Sequence, residues 1–144
     1  MKTYIILFAL LTTLNFSNNS LYAQGNGPYN FDISTDDLSQ YPCLNDVSLE
    51  FDGMMIPLTN LVNGQSLTIN DMSTISLFSP GGFGLLGPNV PFTYSTGTGL
   101  VSDKWMACFT MCCDGVYIEV CVSFIVTRNG SSSLHITAVE HGDC

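Results

Sequence analysis

The sequence predicts an all-β fold: a single disulfide-bonded antiparallel β-sandwich, immunoglobulin-like or jelly-roll-like, following a cleaved signal peptide. Three observations predict it. Apolar and polar residues alternate in short runs separated by Gly, Asn, Asp and Pro, which is the signature of strands and turns. Helical periodicity is nearly absent. All six cysteines lie after an export-like segment, and an even count in an exported chain reads as disulfides. Two packed sheets are the natural way to bury many short amphipathic strands, with a closed barrel as the alternative.

The chain has 144 residues, enough for one domain. Hydrophobic residues make up 46% and charged residues only 10%, which excludes disorder. The formal net charge of -9 argues against nucleic-acid binding, which needs clustered Lys and Arg. Lys2 precedes an apolar run over residues 4–14, then a polar stretch and Leu21-Tyr22-Ala23. This reads as a signal peptide, residues 1–23, cleaved after Ala23. The run is shorter than the roughly 20 residues a membrane span needs, so no span is expected in the mature chain. Lys104 and Arg128 are then its only side-chain cations. Residues 24–37 read as an N-terminal extension or edge strand, and residues 38–144 as the sandwich domain.

In order along the chain, Gln24-Gly25-Asn26-Gly27-Pro28 is a flexible leader. Tyr29, Phe31 and Ile33 then alternate with Asn30 and Asp32 as in a strand. Ser34 and Asp37 have capping-box spacing and predict one short helical turn before Pro42. Asp52-Gly53 predicts a hairpin that sets Phe51 opposite Met54, Leu49 opposite Ile56 and Val47 opposite Leu58. Asn63-Gly64 marks another turn. Residues 79–91 form a Gly- and Pro-rich loop carrying Phe83, Leu85 and Leu86. That loop either folds over the core or presents a sticky patch.

Asp114-Gly115 predicts the central hairpin. Its register puts Ala107, Phe109, Met111, Val116, Ile118, Val120, Val122 and Phe124 on a core face, and Tyr117, Glu119 and Ser123 on the other. After it, a three-residue loop over Arg128-Asn129-Gly130 keeps Leu134 and Ile136 on the core side. Asn129-Gly130-Ser131 is also a glycosylation sequon.

The same register sets Cys108 directly opposite Cys121 in a non-hydrogen-bonded pair, where Cα atoms lie about 4.5 Å apart, inside the disulfide window. Cys112 and Cys113 point to opposite faces and should pair with Cys43 and Cys144. Strand parity places Cys144 on the core side, which favours Cys113–Cys144 and Cys43–Cys112 over the swapped arrangement. A zinc site is the rival reading, weakened by the lack of C-x-x-C or paired-His spacing.

Catalytic and cofactor signatures are weak. Gly82-Phe83-Gly84-Leu85-Leu86-Gly87 matches G-x-G-x-x-G, yet Pro88 and Pro91 prevent the helix a dinucleotide site requires. His135 and His141 are the only candidate general bases, and no nucleophile is positioned beside them. Asp32, Asp36, Asp37, Asn70, Asp71 and Asp103 fit turn chemistry better than a calcium loop. Glu50, Glu119 and Glu140 are the only glutamates, and nothing pairs them at glycosidase spacing. Trp105 points inward, away from Tyr117, which weakens a sugar-stacking platform. No cofactor and no metal are expected.

These features favour a secreted or cell-surface structural protein over an enzyme. Self-association is the expected partnership, through β-strand edges into a fibre or surface layer. Tyr29, Phe31 and Ile33 would donate a strand, and Phe83, Leu85 and Leu86 would add a second contact. The alternative is an extracellular ligand-binding module for a surface glycan or protein. A small secreted inhibitor or effector ranks third, and a hydrolase last.

Overall fold

Two Asp-Gly hairpins organise the chain. In both, the turn residues take positive φ: Asp52 at 50° and Gly53 at 74°, Asp114 at 52° and Gly115 at 84°. This primed turn matches the right-handed twist of its flanking strands. The computed structural model describes residues 28–97, 102–127 and 131–144. Its strands are β1 (Tyr29–Thr35), β2 (Ser48–Phe51), β3 (Met54–Pro57), β4 (Ser66–Ile69), β5 (Ser76–Phe78), β6 (Asn89–Pro91), β7 (Thr93–Gly97), β8 (Ser102–Cys113), β9 (Val116–Thr127) and β10 (Ser132–Asp143). They form a six-stranded sheet, β4-β1-β10-β9-β8-β7, and a four-stranded sheet, β3-β2-β5-β6. Among the described residues there is no α-helix, only short 3-10 turns.

The spine is the β8-β9-β10 meander, each strand 12 residues long. Trp105 pairs with Phe124, Ala107 with Val122 and Phe109 with Val120, and all six side chains are buried. Leu134 stands opposite Phe124 and Ile136 opposite Val122, the pairing a three-residue connection requires. That connection, residues 128–130 with the Asn129 sequon, lies outside the described residues, as does the expected signal peptide. One apolar core draws on both sheets: Phe51, Leu49 and Leu77 from the smaller, Phe31, Phe124 and Leu134 from the larger.

The N-terminal segment departs from expectation. One short turn does precede Pro42, over residues 38–41, where the N–H of Tyr41 donates to the carbonyl of Leu38 at 3.0 Å, but Ser34 does not cap it. β1 runs through Thr35, and the 3-10 turn comes later, over Pro42–Asp46, with proline at its start. Nor is β1 an edge strand. It lies between β4, to which it is antiparallel, and β10, to which it is parallel. Pairing with β10 spans about a hundred residues of sequence, which no local turn signal announces.

Cys108 and Cys121 are bonded across the β8–β9 pair, with Cα atoms 4.2 Å apart. The other two bonds are Cys43–Cys113 and Cys112–Cys144, the reverse of the favoured pairing. A bulge causes the reversal. The β9–β10 register shifts between Glu140 and Gly142, and Gly142 takes φ +112°. One extra residue moves every later side chain to the opposite face. Cys144 therefore emerges on the outer face with Cys112, leaving buried Cys113 to Cys43. Three disulfides match an oxidising, extracellular-type compartment. Among the described residues, no helix is long and apolar enough to cross a membrane.

Candidate functional site

The expected assembly residues fall into two groups. Phe31 and Ile33 are buried under the six-stranded sheet, and Phe31 packs edge-on against Phe124 at 4.9 Å between ring centroids. Tyr29 is half-buried, its ring 6.3 Å from that of Phe31. Phe83 is also buried, against Phe109 at 4.8 Å. These burials share one cause: a large apolar side chain that can reach the core gains more there than at the surface. Leu86 is 57% exposed. The side chain of Leu85 lies outside the described residues. The glycine-rich loop therefore folds over the core through Phe83 and leaves only its tip outside.

β1 fills a slot with two walls. On the β4 side, Asn30 pairs with Thr68, whose hydroxyl donates to Asn30 Oδ1 at 2.7 Å. The N–H of Ile33 donates to the carbonyl of Gln65 at 2.8 Å. On the β10 side the ladder continues past β1. The N–H of Asp36 donates to the carbonyl of Ile136, and the N–H of Ala138 donates to Asp36 Oδ2, each at 3.0 Å. A tight turn follows. Asp37 Oδ1 accepts from the N–H of Ser39 at 3.0 Å and from its hydroxyl at 2.6 Å. Those bonds, the hydroxyl first, hold the Asp37 carboxyl below the usual carboxylate range.

β4 is also anchored from the other sheet. Asp52, in the β2–β3 turn, accepts from the N–H groups of Asn70 and Asp71 at 2.7 and 2.9 Å. Asp71 in turn accepts from the N–H and hydroxyl of Ser73, and these bonds lower its carboxyl in the same way. The motifs Asp37-Leu38-Ser39 and Asp71-Met72-Ser73 are thus one device used twice, each with a buried middle residue.

The sheet edges differ. The small sheet ends at β3, which closes on Pro57, and at β6, which closes on Pro91. Proline cannot donate, so both edges are blunted. The large sheet ends at β4 and β7, whose residues Ser66-Leu67-Thr68-Ile69 and Thr93-Tyr94-Ser95-Thr96-Gly97 include neither proline nor charge. Pairing alternation turns the backbone groups of Leu67 and Ile69 toward β1 and those of Ser66 and Thr68 outward. On β7, the Tyr94 hydroxyl donates to Asp103 at 3.0 Å, and this bond chiefly raises the pKa of the phenol.

All six cysteines are oxidised. His135 stands opposite Ser123 on the outer face, and His141 Nε2 lies 3.6 Å from Glu119 Oε1 at the exposed end of β10. Glu140 stands opposite Ile118, as the register requires, but is exposed and accepts from the Tyr41 hydroxyl at 3.1 Å. Burial, then that bond and the nearby charges of Glu140 and Asp36, raise the Tyr41 pKa. Trp105 is buried and Tyr117 lies on the opposite face, so the two do not form one platform. A cleft of about 290 Å³ opens beside the Asp37 turn, lined by Thr35, Asp36, Asp37, Thr59, Leu61 and Asn63 among others. The described residues hold no cluster of His, Cys, Asp and Glu suited to a metal.

Comparison with protein-family models, curated proteins and solved structures finds no match.

Sequence reasoning gave Asp36 and Asp52 only turn roles, and passed over their carboxylates as acceptors and the β4 edge. The Asp52 signal was present: an aspartate at a left-handed turn position presents its carboxylate outward, free to collect neighbouring N–H groups. The β4 edge left no signal beyond its lack of charge.

Proposed function

We infer that this is an exported structural protein that associates with copies of itself through the edges of its larger sheet. We read the two sheets as a sandwich, since a single core draws on both. The observation that carries the functional reading is the unequal treatment of edges. Prolines close both edges of the four-stranded sheet, while β4 and β7 carry neither proline nor charge, and of these two only β7 has its register broken, between Tyr94 and Thr96. An undefended edge presents unpaired N–H and C=O groups that another chain can satisfy. Sedimentation and electron microscopy of the disulfide-bonded chain over a wide concentration range test this reading. Ordered oligomers are expected, and a monomer at every concentration would overturn it.

A ligand-binding module is the second reading, favoured by the cleft beside Asp37, which polar and apolar side chains line together. Binding on a glycan array, lost on substitution of Thr59 and Asn63, would move it to first place.

A further inference from the structure

We propose that β1 is exchanged between copies: the strand Tyr29–Thr35 of one chain enters the β4–β10 slot of another. This rests on the self-association reading, keeps its partner, a second copy of this chain, and adds a contact beyond the β4 and β7 edges.

Three independent features carry it. First, β1 is the only described strand outside the disulfide-closed span. The bonds Cys43–Cys113, Cys108–Cys121 and Cys112–Cys144 tie together residues 43–144. Withdrawing β1 leaves every crosslink intact. Second, each wall of the slot is held without β1. β10 keeps its ladder to β9 and its bond from Cys144 to Cys112, and β4 keeps the Asp52 carboxylate on Asn70 and Asp71. Third, β1 joins the body through one short turn, exposed except for the buried Leu38. Asp36 completes the β10 ladder, the side chain of Asp37 closes on Ser39, and the chain is anchored again at buried Tyr41. Straightened, residues 37–40 reach about 14 Å, enough to bridge two touching subunits.

An exchanged β1 makes the same contacts as a retained one: Phe31 on Phe124, Asn30 on Thr68, Asp36 on Ile136. The two arrangements therefore differ mainly in hinge conformation and effective concentration, and a concentrated solution favours exchange. An acceptor still has its own β1 to donate. Exchange that does not close on itself thus propagates as a chain of subunits.

The test uses crosslinks at the Asn30/Thr68 pair. The pair is non-hydrogen-bonded and antiparallel, like Cys108/Cys121, whose Cα atoms are 4.2 Å apart. Chains carrying Asn30→Cys are mixed with chains carrying Thr68→Cys under associating conditions. A covalent heterodimer is expected, with the two introduced thiols joined to each other in peptide mapping. Next, Asn30→Cys and Thr68→Cys are placed in one chain and oxidised while dilute, which locks β1 in its own slot. Association well below the wild-type level is expected, since the contact through β1 is lost while the β4 and β7 edges stay available. Should that variant misfold, Ser34→Cys with His135→Cys locks β1 to β10 instead. Association of a locked chain at the wild-type level, or oligomers of the mixed chains without a bond between the introduced thiols, overturns exchange and leaves self-association standing. A wild-type chain that stays monomeric overturns both.

Discussion

The two ends of the long meander are held by different means. At the open end, aromatic rings hold it. Phe124 is gripped between Phe31 and Phe92, with centroids 4.9 and 5.1 Å away, and Tyr94 lies edge-on to Trp105 at 5.4 Å. At the turn end, all three disulfides converge on residues 108–121 and the β10 tail. The reason is visible along β10. Leu134 and Ile136 are buried, but beyond Ile136 only Ala138 is even half-buried. The cover that buries Phe109, Cys113, Ile118 and Val120 on β8 and β9 does not reach the end of β10. There the Cys112–Cys144 bond takes over. Burial stabilises the folded chain directly, whereas a crosslink acts mainly by restricting the unfolded one.

Truncation of Phe124 should strike hardest. Phe124→Ala removes a fully buried ring with two ring neighbours, and such changes cost about 3–5 kcal/mol. Chemical denaturation should register a loss of that size. A loss under about 1 kcal/mol would mean that the open end collapses around the gap and that its rings are not what holds it.

Removing the longest crosslink should come next. Cys43–Cys113 spans 70 residues and Cys108–Cys121 spans 13. Loop-closure entropy assigns about 4 kcal/mol to the first and about 3 to the second. Urea melts of Cys43→Ala/Cys113→Ala and Cys108→Ala/Cys121→Ala should keep that order. The reverse order would indicate that the bonds act through native packing, as the rings do. Hydrogen exchange adds a spatial check: without Cys112–Cys144, amides of residues 142–144 should lose protection while those of residues 122–126 keep theirs.

The two ends also differ in how far they could be read from sequence. The Asp114-Gly115 turn, the inward row from Ala107 to Phe124 and the Cys108–Cys121 bond all follow from one local hairpin, because neighbours in sequence fix its register. The turn end misled at a single residue. A bulge at His141 inverts parity over the last residues, and Gly142 was its only mark. The place of β1 was not legible at all. The pattern of Tyr29, Phe31 and Ile33 says that one face is apolar, not which strand lies beside it, and the β10 partner is encoded a hundred residues away. For the candidate site this mattered most, since it seats Phe31 and Ile33 in the core beneath an interior strand rather than an edge strand.

A smaller effect separates the rings from the polar clamp beside them. Asp52→Asn keeps a residue that tolerates the left-handed turn but replaces one carboxylate oxygen with a donor facing the N–H of Asn70 or Asp71. A loss of about 1–2 kcal/mol is expected. Thermal denaturation checks it. No change would place the anchoring of β4 entirely in its pairing with β1 and weaken the case that the slot keeps its walls when β1 leaves.

The smallest effect concerns pH and uses the repeated aspartate turn as an internal reference. Asp71 follows β4 at the end where Tyr29 pairs with Ile69, and Asp37 follows β1 toward the crosslinked end. Hydrogen bonds from Ser39 and Ser73 lower both carboxyls in the folded chain. A lowered folded value means the turns contribute stability above the unfolded aspartate range, and the contribution is lost as pH falls through the folded value. Both turns should therefore survive mild acid and open only below the ordinary range. In an NMR titration of the side-chain carboxyl carbons, Ser39→Ala should raise Asp37 toward its usual value and leave Asp71 unmoved, and Ser73→Ala should do the converse. Ser39→Ala alone should also speed subunit exchange, because only the Asp37 turn is a hinge. Equal acceleration by both variants would show that the turns merely soften the fold, and that the turn after β1 has no special part in releasing it.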